Sequence, residues 1–357
     1  MGIAIKYGAM VDDPIVDDDG KLAIRGGAGA LVERLLKIYP GACLVGYEDR
    51  QCDGFEMKRD INLDAEKDLV INLDVMDSVG VFQVMLRHGA EPMIMNLQWL
   101  PPRHYHHKVN FAAMGLSYAL FPTLCSGERT AAEVSELTHR WTIPALANSA
   151  QIAWFQPGIR DDLLQPRVDT EVPEVLYPSI HLDAEKHPQQ FMQIVTEVAA
   201  KVPLQMVARL APRDLVSLQA MRMSSAKWTT VGPLSADREG YWGTLAHTTA
   251  FLSTATAEAY GLEELEALVA GVIGVMPKLP WAEVLVPTGY PYLYNSDAEA
   301  AMMLENVLRD PKAARRAIDE SAGGSIKDWV FAKHARAAGN EAIENQVKEW
   351  FPKALED

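Results

Sequence analysis

Two glutamates, Glu258 and Glu266, stand eight positions apart in the run Ser253-Thr-Ala-Thr-Ala-Glu258-Ala-Tyr260-Gly261-Leu262-Glu-Glu-Leu-Glu266-Ala-Leu-Val-Ala-Gly271. The run reads as the end of a strand, a turn carrying Glu258, and a helix that opens near Gly261 and holds Glu266. A helix start offers unpaired N–H groups and partial positive charge to an anion. Gly261 leaves the backbone bare, so a phosphate can approach it. Glu258 on the turn and Glu266 inside the helix can accept hydrogen bonds from hydroxyl groups on either side of that anion. Upstream, after a short apolar run, comes His181-Leu-Asp-Ala-Glu-Lys186, which adds one full cation and one titratable ring. Arg209 follows a further apolar run.

Alternating strand and helix patterns must position these groups. In the first half, strands are expected at 3–6, 42–47, 68–73, 92–97 and 118–122. Helices are expected at 31–36, 79–88 and 126–137, the last with Ser126 as N-cap. The glycine run Gly26-Gly27-Ala28-Gly29 precedes the first helix. Residues 161–173 turn polar, with two prolines and several acids, and are read as the linker. A second α/β series begins at Val175, with strands at 175–180, 204–208, 228–231, 250–253 and 272–276. Residues 326–351 read as one long amphipathic helical region. The organisation is therefore α/β, with domains at 1–170 and 171–325 and a closing helical segment at 326–357.

The chain has 357 residues, 48% hydrophobic and 23% charged, which is ordinary globular composition. Three cysteines without framework spacing argue against a disulfide scaffold and for a reducing compartment. No basic leader with an apolar core opens the chain. The longest apolar stretch, 267–276, is about half of what a membrane span needs. A cytoplasmic protein without a membrane span is expected. The net charge of −15 repels phosphate backbones and anionic lipids on average, so local cations must do any phosphate binding.

The 253–271 segment resembles the E-x7-E signature of the retaining GT-B glycosyltransferases of family 4, with Glu258, Tyr260-Gly261, Leu265-Glu266-Ala267 and Gly271 in register. His181 to Lys186 resembles the family's Arg-Leu-x-x-x-Lys segment; Lys186 matches and His181 replaces the arginine. Gly26 to Gly29 resembles the glycine loop of the N-terminal domain. Gln98 stands about where that domain often carries a histidine, with Asn96 and the loop histidines His104, His106 and His107 nearby.

The resemblance implies two facing Rossmann-like domains and a C-terminal helix crossing back to the first. It implies metal-independent transfer of a hexosyl group, with retention, from a nucleotide diphosphate sugar to an acceptor hydroxyl. The nucleotide sugar is a co-substrate, a UDP-sugar in the first place and a GDP-sugar in the second; no separate cofactor is expected. Glu258 and Lys186 are the catalytic candidates. His181, Lys186, Arg209, Tyr260, Gly261, Leu262, Glu266, Gly27 and Ala28 are assigned to the donor. Gln98, Trp99, His104 and His106 are assigned to the acceptor side. The acceptor is left open between a small molecule, a glycan, a protein and a 5-hydroxymethyl pyrimidine in DNA, as for phage-type members. The same fold also admits a nucleotide-sugar epimerase and a non-catalytic nucleotide-sugar-binding subunit.

Overall fold

A computed structural model describes residues 2–8, 15–22, 27–87, 89–105, 107–160, 162–235 and 237–352. The chain divides into two compact units, Met1–Pro157 with Ala337–Asp357, and Gly158–Arg336. The polar stretch at 161–173 thus belongs to the second unit; Val168 N–H, for example, donates to Ala246 O at 3.0 Å.

The first unit is built on β1 (Gly2–Lys6), β2 (Cys43–Gly46), β3 (Arg50–Gln51), β4 (Glu56–Arg59), β5 (Asp68–Asn72), β6 (Met93–Gln98), β7 (Thr123–Cys125) and β8 (Ile152–Trp154). They form one sheet in the order β3-β4-β2-β1-β5-β6-β7-β8. Among the described residues, only the β3 and β4 pair of this sheet is antiparallel. Successive side chains enter opposite faces. Ile3 and Ile5 of β1, Leu44 of β2 and Leu69 and Ile71 of β5 join one core. Ala4, Cys43, Val45 and Val70 join another on the other face. A parallel sheet covered on both faces explains why these strands read as unbroken apolar runs rather than alternating ones.

Two expectations for this unit need correction. Residues 118–122 are not a strand: helix Lys108–Leu120 runs through most of them, and the strand is β7. The apolar run Tyr118-Ala-Leu-Phe121 is short enough to suit either element, and length arbitrates only when the helix start is recognised. Ser126 is not an N-cap either. Helix Glu128–Trp141 is preceded by Gly127, and the Ser126 hydroxyl donates instead to the Trp99 carbonyl.

The second unit carries β9 (Glu174–Leu176), β10 (Gln205–Leu210), β11 (Thr229–Pro233), β12 (Ala250–Leu252), β13 (Ile273–Pro277) and β14 (Leu293–Tyr294). All pairings are parallel, in the order β11-β10-β9-β12-β13-β14. From β9 the chain moves outward to β10 and β11, then returns to lay β12 on the other side of β9. The strand order therefore reverses between β9 and β12. In open α/β sheets, ligands bind outside the carboxyl ends of the strands at this reversal. The loops after β9 and β12 are 177–186 and 253–261, the two segments singled out in the sequence.

The closing helical region is two helices, not one. Ile326–His334 packs in the second unit and Arg336–Trp350 follows, with Ala335 between them in extended backbone. Ile159 forms an isolated bridge with Ala335 and its N–H takes the His334 carbonyl at 2.9 Å, which withdraws these groups from a continuous helix. Gly158, at φ 68°, allows the approach: a Cβ there would lie 2.6 Å from the Ala335 carbonyl oxygen. Ile343 and Val347 of the last helix enter the first unit's core beside Leu31 and Leu35. Among the described residues no helix is long and apolar enough to cross a membrane.

Candidate functional site

The two loops at the strand reversal are tied together by their backbones. Thr256 N–H donates to Glu185 O at 2.9 Å, and the Thr254 hydroxyl donates to Lys186 O at 2.7 Å. His187, next along the first loop, holds a left-handed conformation at φ 47°. A non-glycine residue in that region costs energy and persists only where its surroundings dictate it. Here the turn ends one short helical turn and starts helix Pro188–Ala199, with Pro188 at its first position.

The bracing brings Lys186 onto Glu258 in a direct ion pair; the lysine side chain is 19% exposed and the glutamate 9%. Burial pulls the Lys186 ammonium down, but Glu258, Glu264 and Glu263 outweigh it and hold the group up at about 12. Lys186 is therefore a permanent cation in a low-exposure cleft, where charge interactions are strong.

Gly261 then opens helix Leu262–Val269 at φ 76° and, as a glycine, supplies no side-chain cap at that position. A Cβ on Gly261 would run into Leu285, so the position needs glycine for space as well as for backbone angle. Within the helix, Glu266 is 3% exposed and pairs with Arg238. Burial raises the Glu266 carboxyl to about 6, while Arg238 and a hydrogen bond from Tyr241 oppose the rise. The Arg238 guanidinium lies over the Tyr241 ring, 4.7 Å from its centre.

Several of these partners had no signal in the sequence. Arg238 lies 28 residues before Glu266 and opens helix Arg238–His247, whose cap is Asp237. Glu264 is a second: it is 1% exposed, accepts from the Ser253 hydroxyl at 3.2 Å, and its other oxygen has no hydrogen-bond partner among the described residues. Burial, then the Glu258 charge, pushes the Glu264 carboxyl well above its ordinary range against the pull of Lys186. The partners of His181 are a third case. The histidine Nδ1 lies 2.9 Å from Asp214 and 3.4 Å from Arg213, which also bonds Asp214 at 3.2 Å. Burial would raise Asp214, but the bonds to His181 and Arg213 outweigh it and leave the carboxyl below its ordinary value. A full cation, Arg213, thus stands beside the histidine that takes the expected arginine's place.

Tyr260 is held from the other side. Its hydroxyl and His334 Nδ1 are 2.9 Å apart, and the rings meet edge to face. Burial, with a smaller contribution from Lys333, lowers His334 to about 4, so the ring is neutral.

Not every candidate joins this cluster. Arg209 sits in β10, and its side chain lines a separate cleft with Glu174, Thr230 and His247. Gly27 and Ala28 open helix Gly27–Ile38 of the first unit; Gly26 lies outside the described residues. Gln98 is 3% exposed, accepts from the Tyr118 hydroxyl at 2.7 Å and donates to Leu100 O, so both ends of its amide are engaged. Trp99 packs against the first unit's core. His104 lies in the short helical turn Pro102–His104, and His106 lies outside the described residues. Arg103 on this loop pairs with Glu133 at 3.3 Å, which neutralises part of its basic character.

No family model matches the chain, and a sequence search of curated proteins returns no match. Solved structures do. Sucrose-phosphate synthase from Thermosynechococcus elongatus superimposes with a TM-score of 0.67 at 13% identity, covering 99% of each chain. The UDP-forming α,α-trehalose-phosphate synthase from Burkholderia vietnamiensis gives 0.65 at 12% identity, over 98% of each chain. HepE from Anabaena, solved with UDP-glucose, gives 0.65 at 15% identity, over 98% of this chain and all of that one. At these identities the likeness establishes the fold, which is GT-B with parallel-sheet Rossmann-like domains.

Proposed function

We propose that the chain is a glycosyltransferase that takes a sugar from a nucleotide diphosphate sugar, with UDP as the carrier, and passes it to an acceptor hydroxyl. The observation that carries this reading is the meeting of Lys186, Glu258 and the glycine-initiated start of helix Leu262–Val269 at the strand reversal of the second unit. The fold is shared with HepE, which was solved with UDP-glucose, and with a UDP-forming synthase.

In this reading Lys186 and the first N–H groups of the helix hold the diphosphate. As the bond between the sugar and the diphosphate breaks, negative charge grows on the leaving group, and these fixed donors stabilise it without having to reorganise. Glu258 is already paired with Lys186, so it is placed to accept from a sugar hydroxyl and to keep the lysine oriented. Glu266, steadied by Arg238, accepts from a ribose hydroxyl. Arg213, through its contact with His181, supplies the second cation. Retention of anomeric configuration rests on the resemblance of the 253–271 segment, and no side chain is assigned as a covalent nucleophile. A metal ion is not part of the proposed chemistry, because cations and a helix start occupy that role.

A thermal-shift series with UDP, GDP, ADP and their glucose conjugates tests the reading. Selective stabilisation by the uridine compounds is expected, about 2–3 kcal/mol at a hundredfold excess over Kd, or roughly 5–10 °C for a unit of this size. A flat response to every nucleotide would remove the proposal's basis.

A further inference from the structure

At the other end of helix Leu262–Val269 the second unit holds a cleft of about 470 Å³, in the size range of small-molecule sites. Its walls bring together Arg167, Arg315 and Lys327 over an apolar floor that includes Leu268, Ile318 and Ile326. This basic cluster is out of keeping with a chain of net charge −15.

The two guanidinium groups converge on the helix C-terminus. Arg167 donates to Thr248 O at 2.6 Å and to Ala270 O at 3.3 Å. Arg315 donates to Gly271 O at 3.2 Å. Gly271, at φ 77°, makes room: a Cβ there would meet the Arg167 Cδ at 2.8 Å. A helix C-terminus carries only about half a negative charge, which one guanidinium would already offset. Two over-neutralise it. Burial, then repulsion from Arg315, lowers Arg167 to about 10, and its buried Nε has no hydrogen-bond partner among the described residues. The carboxylates at hand do not close the deficit. Asp169, 3.5 Å from Arg315, is 67% exposed, where an ion pair is weak. Asp319 is turned to the Ile326 N–H at 2.9 Å.

We propose that this cleft is a binding site for a small phosphomonoester, distinct from the donor loops. Planar guanidinium forks match phosphate oxygens in pairs, which suits phosphate better than a point charge would. The apolar floor takes the organic part of the ligand. The inference stands without the glycosyltransferase reading, since it uses none of the donor residues.

The test is calorimetric titration of the full chain with inorganic phosphate and with glycerol phosphate, at constant ionic strength set by chloride. Because phosphate is also a candidate ligand for the donor loops, Lys186→Ala is titrated in parallel. Saturable binding of glycerol phosphate is expected in the wild type and in Lys186→Ala. The double variant Arg315→Gln with Lys327→Gln should bind at least tenfold more weakly. If the double variant melts early, Lys327→Gln alone, an exposed change, is expected to weaken binding about threefold with the wild-type melt. The proposal is overturned by absence of saturable binding, by equal binding in all variants, or by loss of binding in Lys186→Ala alone. Association with anionic vesicles but not with glycerol phosphate also overturns it.

Discussion

The two units share a parallel sheet with a strand-order reversal, yet they spend their buried polar groups differently. In the first unit the buried groups beside β5 and β6 are neutral. Asn72 donates to Ser78 Oγ at 2.8 Å, Ser78 donates to Asn96 Oδ1 at 2.6 Å, and Asn96 donates to Thr123 and Ser117 hydroxyls at 3.1 and 3.2 Å. Such a closed network fixes a core and leaves nothing over for a ligand. In the second unit the loops after β9 and β12 bring Lys186, Glu258, Glu264 and Glu266 together with Arg238, and one buried Glu264 oxygen has no hydrogen-bond partner among the described residues. Both units thus bury polar groups beside a sheet, and side-chain chemistry separates a satisfied neutral network from a cluster with unsatisfied charge.

The largest expected effect is that of Lys186→Ala. It leaves Glu258 beside the raised Glu264 carboxyl without their cation. Removal of one partner from a buried pair costs about 3 kcal/mol or more. Uridine nucleotide affinity should fall about 100-fold by calorimetry, a change of about 2.7 kcal/mol. An affinity within threefold of wild type would break the contrast between the units.

The mirror-image change is Asn96→Ala in the first unit. It strands buried partners and should cost about 2 kcal/mol in denaturant unfolding. Nucleotide affinity should stay at the wild-type value. A parallel loss of affinity would show that the neutral network is also part of the binding machinery.

A smaller effect is expected in pH dependence, where two groups of the second unit pull in opposite directions. His334, lowered from 6.5 to about 4, favours the folded state only while neutral. Its contribution, about 3 kcal/mol, is present above pH 6.5 and drains away as pH falls towards 4. Glu266, raised from 4.5 to about 6, does the reverse: the folded form takes up its proton first, and stability rises by about 2 kcal/mol as pH falls through the same window. Thermal melts of Glu266→Gln should therefore fall more steeply on acidification than those of the wild type. Those of His334→Asn should fall less steeply. Identical slopes in all three proteins would contradict both assignments.

Much of the second unit's site was legible because its parts are close in sequence. Glu258, Gly261 and Glu266 share one strand-turn-helix, so spacing alone places the acids on either side of a helix start. Lys186 was legible through its register after an apolar run. Arg238, Tyr241, Arg213 and Glu264 were not, since their roles come from packing between elements far apart in sequence. Glu264 stood in plain view between the two expected acids, but nothing in a Glu-Glu pair says which member turns inward. The break at Ala335 was hidden for a similar reason: alanine is a good helix former, and the bridge to Ile159 overrides it. Hydroxyls such as that of Ser126 mislead because a cap and a bond across a strand use the same side chain.

The loops at the β9 and β12 reversal are proposed to grip a nucleoside diphosphate. A crystal structure of the chain soaked with UDP tests it most directly. Diphosphate oxygens are expected within hydrogen-bond distance of Lys186 Nζ and of the N–H groups following Gly261. A ligand seated elsewhere, with the ion pair between Lys186 and Glu258 untouched, would contradict it.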